Sequence, residues 1–406
     1  MTHPLSRTLA GAAAATLALV LLTDAAHAQF AVGTRDLSLT NTTGQGSASI
    51  AVRTHYPAAT AGSNVAVLPR QGGWPVVVFL HGFTAQGNNY GLLCRDLAAA
   101  GYVVVAHNTM QFDNQGQEYD GRAQYPALVA LNATAGSPFA GALDMSRAGL
   151  VGHSMGGGNV GNVLANNPGF RCGIGLAPVP PRGNNGALVQ VPMALIVGTG
   201  DTVTPLASNT QPYYDGLTAW RGVKVLYVLN GEANHTNVPG YALFGTASSS
   251  PSYERAKSVT LGMLDAWLRG NSSGLENVVG PTARSETRLV SLSHQWQSPA
   301  VWAAGPIRVG LTTRVSMGSE AGACGALAAA TFAPNPVPTA FGDLMLDGPS
   351  AYVAFSGIAG AEKRYDGSVA VPNDVALVGV RVPLQAYGTV GSALALGGIT
   401  ELVVAN

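Results

Sequence analysis

The heptapeptide Gly152-His153-Ser154-Met155-Gly156-Gly157-Gly158 constrains this chain more than any other stretch. An apolar run, residues 148–151, leads straight into it, and a small-residue helical segment, residues 159–166, leads out. Strand, sharp turn and helix are the context in which G-x-S-x-G forms a nucleophile elbow, with the serine strained and held clear of a sheet. Only glycine-sized neighbours at Gly152 and Gly156 let strand and helix pack that closely. A P-loop does not fit, because no Lys follows the glycines.

Apolar runs alternate with helical pattern on both sides of the elbow. Two antiparallel strands are predicted over residues 35–41 and 47–56. Residues 74–80 carry three consecutive valines, the mark of a strand buried on both faces of a parallel sheet. That run ends at His81-Gly82-Phe83-Thr84. A helix is predicted over 89–100, a strand over 102–106, a polar loop over 107–121 and a helix over about 122–132. Residues 172–177, 193–198 and 223–229 read as further buried strands, and residues 253–268 as a last helix. Strands alternating with helices predict an α/β, doubly wound architecture with a mostly parallel central sheet. With the elbow inside it, the reading is an α/β-hydrolase core.

A chain of 406 residues is long enough for two domains. Residues 269–274 form a linker-like break, so the hydrolase domain is drawn over 29–274 and a connector over 275–304. From residue 305 to 406, short apolar runs at 307–312, 352–355, 375–382 and 393–396 are separated by Gly, Pro, Asp and Asn. They predict a smaller C-terminal all-β, sandwich-like domain. Residues 1–28 read as an export signal: Arg7, an apolar run over 9–22, then Ala26-His27-Ala28, with the mature chain starting at Gln29. The apolar run is shorter than the ~20 residues a bilayer span needs. A secreted monomer with no transmembrane segment after signal removal is therefore expected. Charged residues are 10% and the net charge is zero, which argues against a nucleic-acid partner. Cys94, Cys172 and Cys324 are odd in number and form no framework, so Cys94 and Cys172 read as small buried hydrophobes. No cofactor and no metal site are expected.

A serine hydroxyl needs an adjacent base, and the base needs an acid that sets its tautomer. In this fold the order along the chain is Ser, acid, His. Of the six histidines after the leader, only His235 and His294 follow Ser154. His294 lies beyond the last helix, whereas His235 follows the strand over 223–229, where the fold delivers its base. Between Ser154 and His235 the acids are Asp201, Asp215 and Glu232. Asp201 directly follows a strand and so stands at the carboxyl edge of the sheet, where the ligand crevice lies. Asp215 falls in a helix, and Glu232 is too close along the chain to turn back on His235. Asp144 reads as a structural turn residue. The catalytic set is Ser154, Asp201 and His235. The oxyanion donors are the amides of Met155 and Phe83, whose side chains are expected at the mouth of the cleft.

The segments His81 to Gln86, Gly152 to Gly158, Gly200-Asp201-Thr202, Gln211-Pro212-Tyr213-Tyr214 and Leu229-Asn230-Gly231 together resemble the bacterial cutinase and polyester hydrolase (PET hydrolase-like) family. The resemblance spans about residues 45–270 and implies a lidless secreted esterase with an open cleft. It implies Ser154, Asp201 and His235 as triad, with Phe83 and Met155 as oxyanion and substrate contacts. Where the family usually carries a Trp, this chain has Val179, so the wall that would stack on an aromatic acyl group is reduced. The family's disulfide near its C-terminus is missing. The stretch 236–252 is enlarged and carries Tyr241 and Phe244. Aliphatic esters or polyesters are the expected substrates. Two alternatives stay open here: a lipid esterase of chlorophyllase or platelet-activating-factor acetylhydrolase type, and a non-catalytic attachment protein working through its C-terminal part.

Overall fold

The computed structural model of the chain describes residues 29–406 apart from 111, 167, 168 and 246; the predicted export signal lies outside the described residues. The strands β1 (Ala31–Thr40), β2 (Ser49–Ala58), β3 (Gly62–Ser63), β4 (Trp74–Leu80), β5 (Val103–His107), β6 (Leu143–His153), β7 (Phe170–Leu176), β8 (Met193–Gly198), β9 (Val223–Leu229) and β10 (Leu289–Trp296) form one ten-stranded sheet. Its order is β10-β9-β8-β7-β6-β4-β5-β2-β1-β3. From β5 to β9 every neighbouring pair is parallel. The pairs β5–β2, β2–β1 and β9–β10 are antiparallel, which makes the sheet mixed.

Why β4 reads as an unbroken apolar run is plain from its two faces. Val77 and Phe79 enter one core cluster, while Val76, Val78 and Leu80 enter another. Side chains alternate across a strand, so only a sheet covered on both sides needs apolar residues at every position. The covers are α1 (Gly91–Ala99), α2 (Asn114–Ala133), α3 (Met155–Leu164), α4 (Thr210–Gly216) and α5 (Pro251–Leu268). Leu93 of α1 and Met263 of α5 lie in the same core cluster as Phe79. Leu128 of α2, Val160 of α3 and Tyr213 of α4 pack on the opposite face. All six parallel strands run the same way, so the loops after β4, β6, β8 and β9 emerge along one edge.

Helix α2 begins eight residues before its predicted start. Asp113 caps it, accepting from the amides of Gln115 (3.1 Å) and Gly116 (2.8 Å). Its first turns bury Gln117, Glu118 and Asp120 rather than apolar residues, which is why no hydrophobic period announces them. Asp120 faces His107 Nε2 at 3.3 Å, and the side-chain amide of Gln117 donates to His81 O at 3.0 Å.

Beyond α5 the sequence break at 269–274 is not a free tether. The backbones of Gly262 and Gly274 touch, such that a Cβ on Gly274 would stand 2.4 Å from Gly262 O. Within the span read as a connector, β10 pairs along β9 as the last strand of the sheet. The chain then enters a strand-rich region. Ala300–Ala303, Thr312–Gly318 and Arg364–Ala370 form a three-stranded sheet. Ile307–Arg308, Ala393–Ala405, Arg381–Val390, Gly322–Ala328 and Tyr352–Ala359 form a five-stranded one. The two sheets share a small core containing Val315, Met317, Cys324, Ala326 and Leu384. The expected apolar run over 375–382 opens as a 3-10 turn, Val375–Leu377, capped by Asp374. Glu276 joins this region to the larger core: its carboxylate accepts from Trp302 Nε1 (3.1 Å), Arg314 (2.6 Å) and the Thr282 amide (3.0 Å). Cys94, Cys172 and Cys324 are buried free thiols.

Three histidines of the large sheet are buried without charge. Burial, with Arg53 and Arg95 nearby, lowers His55 to about 4. Burial beside His235 lowers His153 to about 3, and burial beside Arg284 lowers His294 to about 3. The unfolded chain takes up these protons near 6.5 while the folded chain refuses them, so the stabilisation is complete above 6.5 and is lost as pH falls. Each group contributes a slope of about 1.4 kcal/mol per pH unit between 6.5 and its folded value. Thermal unfolding followed from pH 7.5 to 5 should show Tm falling steeply below about 6. A flat profile would contradict the burial of these rings as neutral groups.

Candidate active site

Ser154 directly follows β6 and stands at the N-cap of α3 with φ 55° and ψ −118°, a backbone conformation that side-chain-bearing residues rarely adopt. Three backbone bonds hold it there. Its amide donates to Leu176 O (3.0 Å), and its carbonyl accepts from Gly158 (3.1 Å) and Val179 (3.1 Å). The glycines are required by close approach: a Cβ on Gly152 would stand 2.3 Å from Gly156 O, and one on Gly156 2.2 Å from Leu80 O. The elbow is thus wedged between the ends of β4, β6 and β7.

The loops after β8 and β9 are clamped to each other. Gly200 N donates to Ala233 O (3.1 Å) and Thr199 N to Leu229 O (2.9 Å). This brings Asp201 Oδ2 to 2.9 Å from His235 Nδ1. Asp201 Oδ1 accepts from the amides of Val203 (2.9 Å) and Thr204 (2.8 Å). Burial by itself would raise the Asp201 carboxyl, but the bonds from His235 and Thr204 outweigh it and hold the group down at about 2. The carboxylate is therefore charged across the whole working range, facing the imidazole N–H. Asp215, set aside as a helical residue, lies exposed on α4. His294 lies on β10, away from the carboxyl edge that bears His235. Among the described residues no hydrogen bond joins Ser154 Oγ to His235, although the ring of the adjacent His153 lies 4.5 Å from that of His235. Such bonds are often long without substrate and tighten when it binds.

Phe83 follows β4 in a loop turned by Thr84 at φ 59°. Its side chain is 57% exposed and meets the equally open Phe112 edge-on at 6.1 Å. Met155, the first residue of α3, is buried at 6% exposure, close to the 8% of Ser154 itself. Its amide, in the first turn of the helix, has no carbonyl within the helix to donate to. Val179 is half-buried against the elbow. In the enlarged loop, Tyr241 packs on Tyr90 at 5.2 Å, while Leu243 and Phe244 stand open to solvent.

Sequence reasoning missed three residues here. Thr204 Oγ1 lies 2.8 Å from Asp201 Oδ2 and 3.1 Å from His235 Nδ1. An acid followed three residues later by a hydroxyl is a local capping pattern that could have marked it. Phe112 sits in a stretch read only as polar loop and carries no periodic signal. Tyr90 falls in the span 89–100 predicted only as helix, yet its hydroxyl reaches the Gly82 amide and His153.

The PET hydrolase-like family profile matches residues 13–242. A bis(hydroxyethyl) terephthalate hydrolase from Streptomyces coelicolor is 30% identical over 199 residues, covering 48% of this chain and 57% of the relative. Cutinase 1 of Thermobifida cellulosilytica is 29% identical over 159 residues, covering 38% and 59%. A Thermobifida fusca cutinase is 30% identical over 159 residues, covering 38% and 52%. The chain thus spans between about half and three-fifths of the length of the curated relatives it matches.

Proposed function

The chain belongs to the PET hydrolase-like family, and on that footing we propose that it is a serine carboxylic ester hydrolase acting on aliphatic esters or polyesters. What supports the reading most is the meeting, at one sheet edge, of a strained Ser154 with the Asp201–His235 pair at 2.9 Å. Ser154 Oγ attacks the ester carbonyl while His235 Nε2 takes its proton. Asp201 holds the Nδ1–H and stabilises the imidazolium that forms. The tetrahedral oxyanion is met by the amides of Phe83 and Met155. Collapse expels the alcohol, which takes the proton back from His235, and the acyl group stays on Ser154. A water activated by the same base then releases the acid and restores the serine.

The acyl side of the cleft has Val179 where an aromatic wall would stand, and the open apolar groups include Phe83, Phe112, Leu243 and Phe244. A panel of soluble esters tests the assignment. The kcat/KM for p-nitrophenyl butyrate should exceed that for bis(hydroxyethyl) terephthalate; the reverse order would overturn the aliphatic preference. Protein inert toward every ester would overturn the hydrolase reading itself. We further read residues 1–28 as an export leader; among the described residues no helix is long and apolar enough to cross a membrane. Material recovered from culture medium should begin at Gln29.

A further inference from the structure

Tyr90 and His153 are buried, at 0% and 3% exposure, and neither belongs to the triad. The Gly82 amide donates to Tyr90 Oη at 2.9 Å. Tyr90 Oη lies 2.8 Å from His153 Nδ1, and His153 Nε2 lies 2.9 Å from the carbonyl oxygen of His235. We propose that Tyr90 and His153 are positioning residues, forming one directed hydrogen-bond chain that ties the loop carrying the Phe83 amide to the backbone of His235. The proposal rests on the hydrolase reading above.

The direction of each bond follows from its ends. A carbonyl oxygen only accepts, so His153 Nε2 carries the proton and donates to His235 O. Burial keeps the ring neutral, with its pKa down at about 3, so Nδ1 is a lone pair. Burial also pushes the Tyr90 phenol well up, so its single proton stays and is given to Nδ1. The phenol oxygen is then free to accept from Gly82. Every polar atom of both side chains is used, and reversing one bond would leave a buried group unpaired, which is costly in a low-dielectric interior.

The two ends of the chain reach the chemistry. Gly82 is held by its amide to Tyr90, and its carbonyl accepts from Ala85 N (3.1 Å) and lies 2.7 Å from His81 Nδ1. A peptide unit is planar and trans, so fixing Gly82 O fixes where the Phe83 N–H points. At the other end, His235 is held by its ring to Asp201 and by its own carbonyl to His153. The groups converge closely: a Cβ on Gly82 would meet Tyr90 Oη at 3.1 Å, His153 Nδ1 at 3.2 Å and Ser154 Cβ at 3.3 Å. The proposed donor to the oxyanion and the proposed base are thereby kept in one frame across the nucleophile.

Tyr90→Phe removes only the hydroxyl and keeps the ring packed against Phe79 (4.7 Å) and Tyr241 (5.2 Å). With p-nitrophenyl butyrate well below Tm, kcat should fall on the order of 10- to 100-fold, with KM nearly unchanged and slower labelling of Ser154 by a fluorophosphonate. His153→Asn keeps an acceptor facing Tyr90 but cuts the bond to His235, and it should lower kcat similarly. In that background Tyr90→Phe should add much less than its effect alone, since the chain is already broken. A Tyr90→Phe protein with wild-type kcat and only a lower Tm would overturn the proposal, as would effects that simply multiply. Wild type inert toward both ester and fluorophosphonate would remove the hydrolase reading and this proposal with it.

Discussion

Replacing Ser154 by alanine should reduce p-nitrophenyl butyrate turnover by about five to six decades, the scale of losing a nucleophile whose partners act as a unit. Circular dichroism and Tm should stay near wild type, because the elbow is held by backbone bonds to Leu176, Gly158 and Val179 that alanine retains. Ser154→Gly separates the two roles of the position further. Its activity should vanish equally, yet the protein should gain about 1 kcal/mol of stability, since glycine adopts φ 55° without strain. Activity surviving in either variant would remove Ser154 from the chemistry.

Asp201→Asn should lower kcat by about four decades at neutral pH with the fold intact. The reason is geometric. Asp201 Oδ1 accepts two backbone amides, from Val203 and Thr204, and an asparagine keeps its oxygen there. Its NH2 then faces His235 Nδ1, where Oδ2 stood at 2.9 Å. Two N–H groups cannot face each other, so the ring moves its proton to Nε2 and can no longer accept one from serine. Single-turnover kinetics with unchanged near-UV circular dichroism would check this; a loss below tenfold would show that Asp201 does not set the tautomer.

Some of this was readable from residues alone, for physical reasons. Strands β4 and β8, and β9 apart from Lys224, are apolar along their length because both their faces are covered. The glycines of the elbow were readable because no other residue tolerates contacts of 2.2–2.3 Å from a Cβ. Asp201 and His235 could be picked by chain order, and they stand 2.9 Å apart. What could not be read is polar and tertiary. The start of α2 hides behind Gln117, Glu118 and Asp120, buried polar residues whose partners are distant in sequence. The burial of Met155 could not be read either, because it follows from where the serine turn starts α3 and not from a local apolar period. Tyr90 and His153 make bonds that span 63 and 82 residues, and no local pattern records them.

The strand β10 bears on how separable the two parts of this molecule are as heritable pieces. It lies after residue 274, yet it closes the edge of the very strand that leads to His235. Downstream of it, Trp302 is packed into the large core and tied to the buried Glu276. A gene fragment ending at residue 274 would leave β9 with a full row of open backbone donors and acceptors, an invitation to edge-to-edge association. Recombination that moved the hydrolase fold into another protein would have to carry the chain through about Ala303 to keep it soluble. A cut about thirty residues beyond the glycine- and serine-rich break would keep β10 and Trp302 with the sheet and core they pack on.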